Sequence, residues 1–263
     1  MHAIAGLVVG LMVGLTGVGG GSLMAPILIL MFGVAPTTAV GTDLWFAAIT
    51  KTVGGFVHHR AGGKDGGPDY QIIRRLCIGS LPAALITLYF LSQTDTHQIK
   101  SGTIMTLLGV VLGLTAVATL FRGQFHKMAM QARTEESSSD SFLKWQPILT
   151  VLAGAILGAM VTLTSVGAGA LGATMLLALY PLRMKMQRLV ATDIIHAVPL
   201  TLVAGLGHLW IGNVNGELLL NLLVGSIPGI IIGSLLASRS SDKVLSPVLA
   251  AVLLFAGWRL IAN

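Results

Sequence analysis

Charge is scarce in this chain. Asp, Glu, Lys and Arg make up 10% of its 263 residues, against about one-quarter in an average soluble domain. That scarcity excludes an ordinary soluble fold, because 54% of the residues are hydrophobic and too little polar surface is left to cover them. Cysteine is almost absent as well. The single Cys77 excludes an internal disulfide, a multi-cysteine metal site and a dithiol mechanism within one chain. No Gly-Lys-Ser/Thr follows the glycines near residue 17 and no strand precedes them, which excludes a P-loop and a dinucleotide fold. There is no Ser/His/Asp cluster and no metal-ligand spacing, so neither an enzyme nor a cofactor or metal centre is expected. The formal net charge of +6 does not point to nucleic acid, because the basic residues lie in short loops between apolar runs and form no stripe. No Lys or Arg precedes Lys51, so the N-terminal region lacks the basic start of a signal peptide and reads as a mature helix.

What the chain has is apolar sequence, with a mean hydropathy of +0.85. A transmembrane helix takes about 20 such residues. Runs of that kind lie at roughly 38–58, 71–91, 101–121, 189–206, 218–237 and 244–261. Two stretches differ. Residues 3–33 are broken at Gly17-Val18-Gly19-Gly20-Gly21-Ser22, and residues 147–181 at Ser165-Val166-Gly167-Ala168-Gly169-Ala170. Each is too long for one crossing and yields two pieces rather short for two.

Loop charge orients these segments. Arg60, Lys64, Arg74 and Arg75 lie in 59–75, and Arg122, Lys127, Arg133 and Lys144 in 122–146. Arg183, Lys185 and Arg188 lie in 182–188, and Arg239 and Lys243 in 238–243. Placing these loops in the cytoplasm puts 13 of 16 basic residues inside, with Lys100 and Arg259 outside and Lys51 within a span. Residues 3–33 then start and finish outside, and 147–181 start and finish inside. Each becomes a hairpin, re-entrant or made of two tilted helices, followed by three crossings.

The two halves repeat. Leu15 through Leu23 aligns with Leu163 through Leu171, Thr42-Asp43 with Thr192-Asp193, His58 with His208, and Gly79-Ser80-Leu81-Pro82 with Gly225-Ser226-Ile227-Pro228. The expected fold is an all-α integral membrane protein of two inverted repeats. Each is a broken-helix hairpin followed by three transmembrane helices, giving about 8–10 membrane segments. The first repeat covers 1–121, a polar and mobile cytoplasmic linker 122–146, and the second repeat 147–263. Paired interrupted segments in inverted repeats are the signature of a secondary transporter.

The candidate chemistry follows. Glycine admits positive φ and close approach of a ligand to the backbone. A helix break at membrane depth is tolerated where it lines a cavity or is buried in protein. The helices after the two breaks would aim their free amides and positive dipole ends at such a cavity, a site suited to an anion. The substrate-binding candidates are Thr16, Gly17, Val18, Gly19, Gly20, Gly21 and Ser22 in the first break and Thr164, Ser165, Gly167 and Gly169 in the second. Tight packing of small residues, or a plain turn, is the structural alternative. Coupling or gating candidates are Thr42, Asp43, Lys51, Thr192, Asp193 and His196. Intramembrane carboxylates invite a role with a coupling proton or sodium, and caps of a helix start are their alternative. Lys51 either attracts the anion or snorkels to the surface. His196 either shuttles protons or is a satisfied core histidine. His58, His59 and His208 read as interfacial, and Pro82 and Pro228 as kinks.

On Gly14-Leu15-Thr16-Gly17-Val18-Gly19-Gly20-Gly21-Ser22-Leu23-Met24-Ala25-Pro26, followed by Ala39-Val40-Gly41-Thr42, the chain resembles the TauE/SafE sulfite-exporter family of membrane permeases. The second copy, from Leu163 through Thr192, has the same layout. The resemblance implies a carrier in a bacterial or archaeal plasma membrane, exporting sulfite, organosulfonates or related sulfur-containing anions. The chain departs from the family at Asp43 and Asp193, where a small hydroxyl residue is common, and at Ala168 and Ala170 in the second motif. A channel for small anions is the alternative function. It would conduct without saturation or counterflow.

Overall fold

The computed structural model describes residues 2–16, 21–61, 67–93, 101–135, 140–181, 183–184, 186–237 and 242–262. All the secondary structure among them is helical. The elements are α1 (His2–Thr16), α2 (Gly21–Phe32), α3 (Pro36–Ala61), α4 (Tyr70–Gln93), α5 (Ser101–Glu135), α6 (Asp140–Thr164), α7 (Ala170–Leu179), α8 (Met186–Ile211), α9 (Gly216–Ala237) and α10 (Asp242–Ala262).

Five stretches are long and apolar enough to cross a membrane: Tyr70–Gln93, Gly102–Gln124, Lys144–Thr164, Gln187–Ile211 and Gly216–Leu236. Helix α3 has 26 residues, about 39 Å at 1.5 Å per residue, and carries Asp43 and Lys51 in its interior. Helices α2 and α7 are short, at 12 and 10 residues.

The outer surface is apolar. Trp210 is 92% exposed and Leu220, Val224, Leu235, Phe90, Phe255 and Trp258 are all more than half exposed. The interior holds Thr42, Asp43, Lys51, Asp193, His196 and His208, all buried. Apolar outside and charged inside inverts the soluble pattern, and only a hydrocarbon solvent makes it favourable.

The helices pair across the halves. Helix α1 packs on α9, α4 on α6, α5 on α10 and α3 on α8. Exchanging first-half helices for their second-half equivalents maps the α1–α9 pair onto the α6–α4 pair and returns α3–α8 and α5–α10 to themselves. The close contacts repeat too. A side chain at Gly6 would strike the Leu222 carbonyl, and one at Gly154 the equivalent Leu76 carbonyl. Gly10 meets Ser226 as Gly158 meets Ser80, and Gly225 meets Ala3 as Gly79 meets Val151. Association in lipid depends on van der Waals packing, so small residues that let backbones touch set these pairs.

Polar caps start α4 and α9. Asp69 Oδ1 accepts from Ile72 N at 3.4 Å, and Asn215 Oδ1 from Leu218 N at 3.0 Å. Helix α2 ends where Gly33, at φ 64°, turns the chain and lets Val34 N return to Leu28 O at 3.0 Å.

One boundary departs from expectation. Helix α5 runs through residues 122–135, and α6 starts at Asp140, so most of the segment read as a polar, mobile linker is helical. Ala, Met, Gln, Lys and Arg in that stretch are strong helix formers, and Gly123 is its only glycine. Pro82 and Pro228 lie inside α4 and α9.

Candidate functional site

The site is built where α3 and α8 cross and the two broken hairpins meet them. The first break, Gly17, Val18, Gly19 and Gly20, lies outside the described residues, as do the side chains of Thr16 and Ser22, and Gly21 is described only as the start of α2. The second break is described. Gly167 and Gly169 adopt φ of 116° and 140°, backbone that L side chains rarely reach. Ser165 is held at φ 58°, an uncommon conformation for a residue with a Cβ. Helix α7 then starts with no side-chain cap at Gly169.

Thr164 braces this break. Its hydroxyl donates to Met160 O at 2.6 Å and accepts from Val166 N at 3.2 Å. The hydroxyl expected to face a ligand is therefore engaged with its own turn. Ser165 Oγ, by contrast, is buried and has no hydrogen-bond partner.

Lys51 reaches this break from α3. It is 3% exposed, and its ammonium donates to Ala168 O at 2.6 Å. Snorkelling is thereby corrected: the side chain points inward, where α3 crosses the second hairpin. Its charge is in Coulombic reach of both Asp43 and Asp193.

Asp43 is fully buried. Its Oδ2 accepts from Ala25 N of α2 at 3.2 Å, while Oδ1 has no partner and lies beside Ser165. Asp193 sits at the equivalent place on α8. A Cβ at Gly172 of α7 would come to 2.5 Å from its Oδ1, so the carboxylate takes up the space that a side chain there would fill. Its Oδ2 is buried without a partner.

The neighbouring threonines do something else. Thr42 accepts from Asn215 N at 3.1 Å, and Thr192 accepts from Asp69 N at 2.9 Å. Capping of their own helices is thus corrected. Helix α3 begins at Pro36 and α8 at Met186, more than a turn earlier, and each threonine instead holds the residue that starts a helix of the other half.

His196 Nε2 pairs with Ser80 Oγ at 2.9 Å in full burial. His208 corrects another expectation. It is buried, not interfacial, and Nε2 bonds Thr162 O at 2.9 Å, because α8 continues to Ile211 and carries this ring between α3 and α6. The side chains of His58 and His59 lie outside the described residues.

Sequence reasoning missed Asp69, Asn215 and Ser80. A signal for them existed. The Gly79–Gly225 alignment runs back at the same spacing to Asp69 and Asn215, both capping residue types just before a helix. Ser80 stood within an aligned landmark with no role given.

An apolar exterior, a buried cluster of ionisable groups and helices interrupted beside that cluster define a multi-pass integral membrane protein with a polar interior, the construction of a membrane transporter. Residues 2–260 match the family model described as "Sulfite exporter TauE/SafE", and the chain belongs to that family of membrane transporters. It is 37% identical over 259 residues to the "Probable membrane transporter protein YjnA" of Bacillus subtilis (strain 168), covering 98% of each chain. It is 25% identical over 251 residues to the "Probable membrane transporter protein YdhB" of the same organism, covering 93% of this chain and 95% of the other. No solved structure matches it.

Proposed function

We propose that this protein is a secondary transporter for a small sulfur-containing anion such as sulfite or an organosulfonate. It works as an exporter in the plasma membrane, by alternating access. The anion binds near the bilayer midplane between the two helix breaks, with Lys51 supplying the positive charge. Residues 1–121 and 147–263 act as two inverted repeats joined through 122–146. Asp43 and Asp193 carry the coupling to a cation gradient. His196 and Ser80 hold the α4–α8 contact beside them.

The observation that carries this reading is the burial of Lys51 against Ala168 O in the second break. A buried ammonium is costly unless something compensates it. The two carboxylates in reach of it sit beside the short helices that follow the breaks. Helix starts, an ammonium and positive-φ glycines together make a cradle for an oxyanion. Charge-assisted hydrogen bonds contribute roughly 1.5–3 kcal/mol each, enough for several to offset much of the dehydration of a small oxyanion.

The test is binding and proteoliposome uptake with sulfite, sulfate, sulfoacetate, taurine and chloride. Saturable uptake and counterflow of a sulfur-containing anion are expected, and unsaturating flux would mean a channel. Gly20→Val, in the first glycine run, should abolish binding. If folded, monodisperse Gly20→Val binds the transported anion as tightly as the parent, the anion does not sit between the breaks.

A further inference from the structure

A carboxylate is the wrong charge for an anion site, yet two of them stand in this one. Asp43 Oδ2 takes the amide of Ala25 near the start of α2 at 3.2 Å. Asp193 Oδ1 fills the space beside Gly172 in the first turn of α7. Each carboxylate therefore stands against the first turns of the short helix after a break, where an incoming anion would be held. Of their remaining oxygens, Asp193 Oδ2 is buried with no partner, and Asp43 Oδ1 is buried with only the neighbouring Ser165 hydroxyl beside it. Buried carboxylate oxygens without partners are held at a cost, and their positions fit groups that move during function.

We infer that Asp43 and Asp193 are built-in occupants of the anion site. An entering monovalent oxyanion displaces one carboxylate from its helix start, and the displaced carboxylate takes a proton, so that anion and proton bind together. This presupposes the anion-carrier reading above and gives it a coupling chemistry. In the exchange, either the Ala25 amide passes from Asp43 to a substrate oxygen, or the space beside Gly172 passes from Asp193 to the substrate. The proton comes from solution and leaves the side chain a neutral acid, which competes poorly for that place.

The charges facing the cluster favour one proton per monoanion. Helix α3 contributes Asp43 and Lys51, α8 contributes Asp193 and His196, and α5 contributes Arg122, in Coulombic reach of Asp193. Helices α2 and α7 carry no ionisable side chain. Glu217 of α9 is exposed and Arg75 of α4 binds Tyr180 Oη. Two carboxylates and two cations are balanced without substrate. Adding a monoanion leaves one uncompensated negative charge in a medium where such a charge is expensive, and one proton restores the balance.

The experiment is equilibrium binding of methanesulfonate and of sulfite to the purified full chain between pH 5.5 and pH 7.5. Methanesulfonate stays ionised across this range, so its pH dependence reports the protein. With one proton per anion, affinity for it should fall by up to about tenfold per pH unit as pH rises. Binding should draw about one proton per anion from weakly buffered solution. Replacing choline with sodium at constant ionic strength should change nothing. Asp43→Asn with Asp193→Asn should flatten the profile and hold methanesulfonate at pH 7.5 as tightly as the parent does at pH 5.5. The inference is overturned if the parent takes up no proton on binding. It is also overturned if the Asn variant keeps the parent's slope, or if the folded variant loses binding at both ends of the range. Absence of binding of either anion to the parent at every pH would instead remove the carrier reading beneath it.

Discussion

The two halves of this molecule are alike in framework and unlike in charge. Gly6 and Gly10 of α1 meet the carbonyls of α9 at the positions where Gly154 and Gly158 of α6 meet those of α4. Thr42 holds Asn215 N as Thr192 holds Asp69 N. Asp43 and Asp193 each stand at the short helix of their own hairpin. The charges break this correspondence. Lys51 on α3 faces Thr201 as its equivalent on α8. Asp69 makes a 2.8 Å ion pair with Arg183, whereas its equivalent is the uncharged Asn215, and residues 33–35, which join α2 to α3, hold no charged side chain at all. The lesson is that the packing and the buried carboxylates are duplicated, while the buried ammonium of Lys51 is not. A second Lys51 would add a further buried ammonium with no matching carboxylate, and burying an unpaired charge costs several kcal/mol.

The correspondence would break most completely at the level of topology. With Cys77 replaced by Ala, single cysteines placed in 92–100 and in 182–188 should react with an impermeant maleimide from opposite sides of the membrane. Labelling of both from one side would end the inverted-repeat reading.

Next in size is the charge that has no twin. Lys51→Met should remove anion binding and transport, and lower stability by on the order of 3–5 kcal/mol, because it leaves a carboxylate uncompensated in the interior. Thr201→Met should cost far less, since among the described residues Thr201 bonds only the carbonyls of Ala197 and Val198 of its own helix. Paired uptake and detergent melting curves would show this. Equal losses would mean that Lys51 acts as a packing residue.

The shared framework predicts a matched pair of smaller effects. Gly79→Ala and Gly225→Ala should each destabilise by about 1–3 kcal/mol, since the added methyl meets a backbone carbonyl that cannot step aside. Gly113→Ala, with nothing near its Cβ position, should be neutral or slightly stabilising as a helix substitution. Unfolding midpoints of the three variants decide it, and a large gap between the first two would deny the equivalence of the two pairs.

The smallest expected effect sharpens the comparison by making the halves more alike. Asp69→Asn gives α4 the cap that α9 already has. The helix start and the Thr192 bond to the backbone should persist, while the ion pair with Arg183, itself 47% exposed, disappears. A loss of about 0–1 kcal/mol is expected, read from denaturation of the two proteins side by side. A loss several times larger would make this pair a fastening unique to one half.

Much of this was open to reading in the amino-acid order. Composition alone places the chain in a bilayer, because hydropathy is a sum over residues and needs no geometry. The second break is legible from Gly167 and Gly169, and both take up the positive φ that their type suggests. The repeat is legible wherever equivalent residues keep their identity, as at Thr42-Asp43 and Thr192-Asp193. The continuation of α5 beyond residue 121 was not legible, because polar residues mark a surface whether they lie in a helix or in a loop.

The sequence by itself therefore determined the solvent, the helices, the second interruption and the existence of two related halves, all of which depend on neighbours within a few turns. Tertiary structure alone decided which partner each polar group has. Lys51 meets Ala168 across 117 residues, Thr192 meets Asp69 across 123, and Thr42 meets Asn215 across 173. His208, near the end of its helix, became a core residue for the same reason. These contacts follow from α3 crossing α8 and from each half's helices packing on the other's. Local propensity cannot encode such pairings, because they are set by where backbones can approach closely and by the cost of leaving any buried polar group alone.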